Sequence, residues 1–191
     1  MQKLYPLLPE FLYMELLRIH NKTFKPYISE EAIREKVNEL ALVLDRDYKD
    51  KNPIFIAILN GAFIFAADLF KSLHIDAEIS FIKLASYKGM KSSGQVITAI
   101  GLDIELFDRH VVILEDIVDT GKTLFEFLPQ LWHQQPASLK IVALLHKPDA
   151  TAFPVKVDYT GFAIPDKFVV GYGLDYNGLG RNTPAIYQLF E

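Results

Sequence analysis

Val111-Val-Ile-Leu-Glu-Asp-Ile-Val-Asp-Thr-Gly-Lys-Thr-Leu124 opens on four apolar residues, passes through paired acids and reaches a glycine just before a helical pattern. An apolar run without polar alternation suits a strand covered on both faces, as in a parallel sheet. Ligands of such sheets sit beyond the carboxyl ends of the strands, where this segment turns polar. Asp119-Thr120-Gly121-Lys122-Thr123 offers successive backbone N–H groups at a helix N-terminus, two hydroxyls, and a glycine that allows close approach, which together make a phosphate cradle. The helix dipole supplies about 0.3 to 1 kcal/mol there, so N–H bonds to a charged phosphate, at about 1.5 to 3 kcal/mol each, dominate. The nucleoside triphosphatase loop is excluded, because it needs a glycine where this chain has Asp116. Glu115 and Asp116 are costly to desolvate unless hydroxyls, a metal or cleft solvent meet them. A regular strand points their side chains to opposite faces, so joint action on one ligand requires the backbone to leave the strand there.

The same texture recurs on either side. Ser29 with Glu30 and Glu31 forms a helix start, and Ile33, Val37, Leu40 and Leu44 follow at helical spacing. Ile54 to Leu59 reads as a second buried strand and Phe63 to Leu73 as a helix. Ile79 to Leu84 and Leu139 to Leu145 are further strands, and Leu124 to Trp132 a further helix. Strands alternating with helices indicate an α/β fold with a parallel-rich twisted sheet flanked by helices. Ser86 to Gln95 is small, polar and glycine-containing, the composition of a mobile lid. After Lys147, short β segments at Val155 to Tyr159 and Phe168 to Tyr172 predict a small cap. The expected division is a core over 29–150 and a cap or hood from 1–28 and 151–191, in one structural domain. Trp132 and the Phe63-Phe65 cluster are expected in the core.

At 191 residues, half of them apolar, the chain buries one core. Its net charge of -4 and scattered Lys and Arg give no basic stripe for nucleic acid. The absence of cysteine excludes disulfides, thiolate metal sites and a cysteine nucleophile, and fits a reducing cytoplasm. The N-terminus lacks a signal-peptide pattern. Ile54 to Phe70 is too short and too interrupted for a membrane span. The five histidines show no ligand spacing.

Val111 to Thr123 resembles the thirteen-residue phosphoribosyl pyrophosphate motif of type I phosphoribosyltransferases. Similarity to the hypoxanthine-guanine branch extends through Ile54 to Asp68, Ser86-Tyr87, Lys147 and Asp166 to Asn177. The resemblance implies the type I phosphoribosyltransferase fold with its hood. It implies that Glu115 and Asp116 bind the ribose hydroxyls, that Asp119 accepts the proton lost from the purine, and that Asp119, Thr120, Gly121, Lys122 and Thr123 hold the 5′-phosphate. Lys147 would contact the purine O6; as a donor only, it suits a 6-oxo and not a 6-amino group. Phe168 would stack on the base, the Val169 backbone would meet its pyrimidine edge, and Asp175 would complete the purine side. Leu59, Asn60, Gly61 and Arg181 would bind pyrophosphate, with Asn60 standing where a cationic residue is common. Magnesium is the implied cofactor, at Asp175 with Glu115 and Asp116, and Ser86 and Tyr87 begin the closing lid. The implied activity is purine salvage: hypoxanthine or guanine with phosphoribosyl pyrophosphate gives IMP or GMP, in a cytoplasmic homodimer or homotetramer. The alternative is a phosphoribosyl pyrophosphate-sensing regulator of the same fold, which needs the ribose and phosphate contacts but not the acid beside the base.

Overall fold

The computed structural model describes residues 16–86, 96–100 and 104–190. The predicted helix after Ser29 is α1 (Glu30–Asp47): Ser29 Oγ accepts the Ala32 N–H at 3.2 Å, and Ile33, Val37, Leu40, Ala41 and Leu44 form its buried stripe. The sequence then delivers β3 (Ile54–Leu59), α2 (Phe63–Ser72), β4 (Glu78–Ser86), β5 (Val96–Ile100), β6 (His110–Val118), α3 (Lys122–Trp132), β7 (Ser138–His146) and β8 (Tyr159–Ala163). These six strands form one sheet in the order β5-β4-β3-β6-β7-β8. All neighbours are parallel except the edge strand β5, which runs antiparallel to β4.

The unbroken apolar runs have a direct cause. On β3, Phe55 and Ala57 pack in the cluster under α1 and α2, whereas Ile54, Ile56 and Ile58 pack with Leu124, Phe127 and Leu131 of α3. Both faces are covered, so neither tolerates a polar residue. β6 follows the same alternation through Leu114, where its pairing with β3 ends. Its pairing with β7 continues to Val118 without a register shift. Beyond the paired acids the pleat changes phase: Ile117 packs towards the α1–α2 cluster and Val118 on the α3 side. The ladder with β7 keeps its register but skips Asp116, whose Oδ1 accepts the Ile117 N–H at 2.9 Å, so the strand gives up its regular alternation there without ending.

A second, antiparallel sheet has the order β1-β2-β10-β9, from β1 (Leu17–Ile19), β2 (Lys22–Ile28), β9 (Val169–Val170) and β10 (Ile186–Phe190). It closes over its own small cluster of Ile19, Phe24 and Val170. Segments from the two ends of the chain thus build the hood together.

Three expectations are corrected. The strand expected at Val155 to Tyr159 lies instead at Tyr159–Ala163, and it belongs to the main sheet, so the 151–191 segment is not all hood. β8 is an edge strand with half-exposed residues and carries Gly161, whose position leaves no room for a Cβ: one would stand 2.5 Å from the Leu144 carbonyl oxygen. The β segment expected over Phe168 to Tyr172 shrinks to Val169–Val170. Trp132 and Phe63 are exposed, because each stands at a helix end outside the buried stripe, while Phe65 is fully buried. Among the described residues no helix is long and apolar enough to cross a membrane.

Candidate active site

Parallel register brings the ends of three neighbouring strands into line, with Val118 opposite His146 and His146 opposite Ala163. The residues just beyond those ends are Asp119, Lys147 and, three further on, Asp166. The Lys147 N–H donates to the Val118 carbonyl at 2.9 Å, which locks the two adjacent strand ends together. Lys147 is almost fully buried, and its Nζ lies 3.0 Å from Asp119 Oδ2 and 3.0 Å from Asp166 Oδ1. Burial alone would lower the Lys147 pKa, but the hydrogen bonds it donates to both carboxylates, with their charges, outweigh it and hold the group above its ordinary value. The Thr151 hydroxyl lies 2.9 Å from both the Asp119 and Lys147 carbonyl oxygens, so one side chain ties the two backbones.

One turn further, Gly121 at φ +79° precedes α3, whose first turn contains no acidic residue. Ala152 and Phe153 donate their N–H groups to the Thr120 carbonyl at 3.0 and 3.1 Å, holding the Thr120-Gly121 turn from behind. The N-terminal amides of α3 thus open onto a small pocket lined by Glu115, Ile117, Asp119 and Thr120 to Leu124. Helix geometry leaves those amides without intrahelical partners. Glu115 Oε2 is buried and has no hydrogen-bond partner among the described residues. Burial, then the neighbouring Asp116 charge, pushes the Glu115 carboxyl well above its ordinary range.

Asp116 meets the other loop. Since Ala57 pairs with Leu114, the chain after β3 passes beside the Asp116 carboxylate. A Cβ on Gly61 would stand 1.6 Å from Asp116 Oδ2, and one on Gly173 would stand 2.0 Å from the Gly61 carbonyl oxygen. Gly61, just after the cis Leu59–Asn60 peptide, is therefore held at contact distance between the Asp116 carboxylate and the Gly173 backbone. Burial raises the Asp116 pKa from 3.8 to about 6, against the Ile117 and Asp116 backbone N–H groups and the Arg181 charge, which lower it. We expect Gly61→Ala to displace Asp116 and to reduce activity at least tenfold; steady-state rates beside a thermal melt test this, and unchanged kinetics would show that the loop has room.

On the hood side, Asp175 lies 2.6 Å from Arg181 Nη2 and accepts the Gly178 N–H at 2.6 Å, while Arg181 Nη1 donates to the Gly173 carbonyl at 2.5 Å. Asn177 and Gly178, both at positive φ, form a tight turn closed by hydrogen bonds between Tyr176 and Leu179. That Asn-Gly pattern is the signature of a type I′ turn, and here it fixes the register of Arg181. Phe168 is half exposed, with Phe24 behind it at 6.2 Å between ring centroids and Tyr176 edge-on at 5.9 Å. Val169 is buried beside it.

Residues 27–177 match the family model for the phosphoribosyl transferase domain. The chain belongs to the phosphoribosyltransferase family. The hypoxanthine-guanine phosphoribosyltransferase of Lactococcus lactis is 43% identical over 85% of this chain and 88% of its own. The hypoxanthine-guanine-xanthine phosphoribosyltransferase of Tritrichomonas foetus is 38% identical over 85% of this chain and 90% of its own. Among solved structures, the hypoxanthine phosphoribosyltransferase of Trypanosoma cruzi, in complex with the product IMP, superposes with a TM-score of 0.83 at 38% identity, covering 91% of this chain and 98% of that one.

Most residues singled out from the sequence of this phosphoribosyltransferase meet along one rim of the sheet. Glu115 and Asp119 to Thr123 share the pocket at α3, Lys147 joins Asp119, and Asp116 lies with Gly61 near the Asp175–Arg181 pair. Asn60 is exposed and Leu59 half-buried at the turn beside them. Asp175, Glu115 and Asp116 do not converge: no group of three potential metal ligands occurs among the described residues. The reason is the strand itself, which directs Glu115 to the α3 pocket and Asp116 to Gly61. Ser86 closes β4, while Tyr87 lies outside the described residues. Sequence reading missed three contributors. Asp166 was visible only as part of the Asp166 to Asn177 stretch, Thr151 carried no signal, and Phe24 shows its role only once β2 is placed beneath Phe168.

Proposed function

We propose that the chain catalyses transfer of the phosphoribosyl group of phosphoribosyl pyrophosphate to hypoxanthine or guanine, forming IMP or GMP and pyrophosphate. In this reaction the bond from C1′ to the pyrophosphate oxygen breaks, a bond from C1′ to a purine ring nitrogen forms, and that nitrogen loses a proton. The observation that carries the reading is the pairing of Asp119 with buried Lys147 at the ends of adjacent strands. It sets a proton acceptor and a fixed cation side by side where an oxopurine offers a proton and a carbonyl oxygen. Lys147 donates to O6 and leaves a 6-amino group unmatched, a mismatch of about 1 to 3 kcal/mol against adenine. Asp119 takes the proton, and its charge also favours the cationic sugar of an oxocarbenium-like transition state.

The other assignments follow the same logic. The amides and hydroxyls of Thr120 to Thr123 bind the 5′-phosphate. Glu115 and Asp116 accept from the ribose diol, which supplies the donor that the buried Glu115 Oε2 lacks and adds one to Asp116. Arg181 binds the pyrophosphate, and Phe168 stacks on the base. Magnesium fits a site with few protein ligands, because it retains water and substrate oxygens and takes one or two carboxylates. Asp175 would be its carboxylate ligand, and the bound ion would supply charge neutralisation on the departing pyrophosphate. The segment beginning at Ser86 and Tyr87 closes over the bound donor and limits its hydrolysis. We further propose a cytoplasmic homodimer or homotetramer.

The test is nucleotide formation from magnesium, phosphoribosyl pyrophosphate and each of hypoxanthine, guanine, xanthine and adenine. Turnover of hypoxanthine or guanine with little of adenine is expected. Donor binding without turnover of any oxopurine would instead favour the sensing regulator.

A further inference from the structure

We propose that Asp166 is a positioning residue that aims the Lys147 ammonium at the purine 6-oxygen and keeps part of its charge off Asp119; this rests on the proposed reaction. An ammonium carries three protons. Two are engaged, at 3.0 Å by Asp119 and 3.0 Å by Asp166, so with both carboxylates in place the third is left for the base. The Lys147 side chain is only 6% exposed, which leaves solvent little chance to replace a missing acceptor. Without Asp166 the cation has Asp119 as its single ionic partner, and it leans onto the carboxylate that must receive the purine proton.

The placement of Asp166 is built into the fold. Ile164 is buried, and its N–H donates to the His146 carbonyl at 2.8 Å, so the chain leaving β8 is pinned to the end of β7 just before Lys147. Asp166 stands two residues beyond that anchor and two before Phe168, on the segment that also delivers the stacking ring. The carboxylate itself is 68% exposed, so its attraction for Lys147 is screened and the contact directs the ammonium more than it stabilises the fold. A partner of that kind can give way slightly when O6 arrives, whereas a deeply buried one would hold the cation back.

The experiment compares the protein with Asp166→Asn by titration calorimetry against two nucleotides, IMP and purine riboside 5′-monophosphate, which lacks the 6-oxygen. A screened charge contact supports an effect of roughly fivefold. We therefore expect IMP to bind about fivefold more weakly to the variant and the deoxo analogue to bind equally well to both proteins. Asp166→Glu should restore most of the IMP affinity. Unchanged IMP binding, equal weakening of both nucleotides, or no IMP binding by the parent protein would each overturn the proposal. Turnover of hypoxanthine by the parent protein is measured in parallel and tests the proposed reaction separately, since IMP affinity requires no catalysis.

Discussion

Asp119→Asn is expected to lower kcat with hypoxanthine by about 10² to 10⁴ while shifting the melting temperature by only a few degrees. The two effects have different sources. Stability is at risk because Lys147 loses one ionic partner, but Asp119 is 48% exposed and Asp166 still neutralises the cation. A screened pair of that kind is worth at most about 1 kcal/mol. The rate is at risk because an amide of the same shape neither accepts the purine proton nor opposes the cationic sugar, and a general base accounts for roughly 3 to 5 kcal/mol of barrier. The chemical loss therefore exceeds the structural one. Rates at saturating donor and base, beside a thermal melt, decide it: a kcat within threefold of the parent would remove Asp119 from the chemistry. A fall in stability as large as the fall in rate would make its role structural.

How much of this was legible in the sequence depended on burial. β3 and β6 announce themselves because both faces are covered, and every residue from Ile54 to Ile58 and from Val111 to Leu114 must be apolar. α1 is equally plain, since its cap, acidic first turn and apolar stripe all agree. The turn at Asp119 to Thr123 is legible because a strand running into acids and glycine has few uses other than a site. β8 was misplaced because an edge strand with one half-exposed face carries little pattern, and the more apolar Val155 and Val157 beside it serve instead as loose packing for the α3-side cluster. The strand pairing within the hood escaped for a different reason. β2 and β10 pair over a separation set by the whole chain, and nothing local in Phe24 tells that it will back a ring at Phe168. Asp166 illustrates the limit well: an acid in a polar stretch reads as surface until the register of β6, β7 and β8 sets it against Lys147.

The paired acids lead to the second large expectation, in which stability and activity move in opposite directions. Glu115→Gln with Asp116→Asn should melt several degrees above the parent protein at pH 8 without ligands, yet lose about 10² to 10⁴ of kcat/KM with the two contacts to the ribose diol, at roughly 1.5 to 3 kcal/mol each. Asp116 titrates near 6 in the folded protein against 3.8 ordinarily, and Glu115 is raised well above its range, both chiefly by burial. A folded-state pKa that is raised means the folded protein holds its protons longer than the unfolded chain. The stability linked to that protonation is present below the ordinary pKa and is lost as pH rises through the folded one, for Asp116 between about 4 and 6 and for Glu115 above its ordinary value. The melting difference between variant and parent should therefore be small at pH 4 and grow towards pH 8. New amide donors in the same place need partners of their own, which trims the gain without changing its direction. An equal difference at both pH values would show that the carboxylates are not desolvated. Phosphoribosyl pyrophosphate with magnesium should narrow the gap at pH 8, because the donor's hydroxyls satisfy the parent's carboxylates and leave the amides poorly matched. The desolvation cost of two buried acids in the free protein, of which Glu115 leaves Oε2 without a partner, is thus relieved by donor binding, which is where a site made for the phosphoribosyl group should recover it.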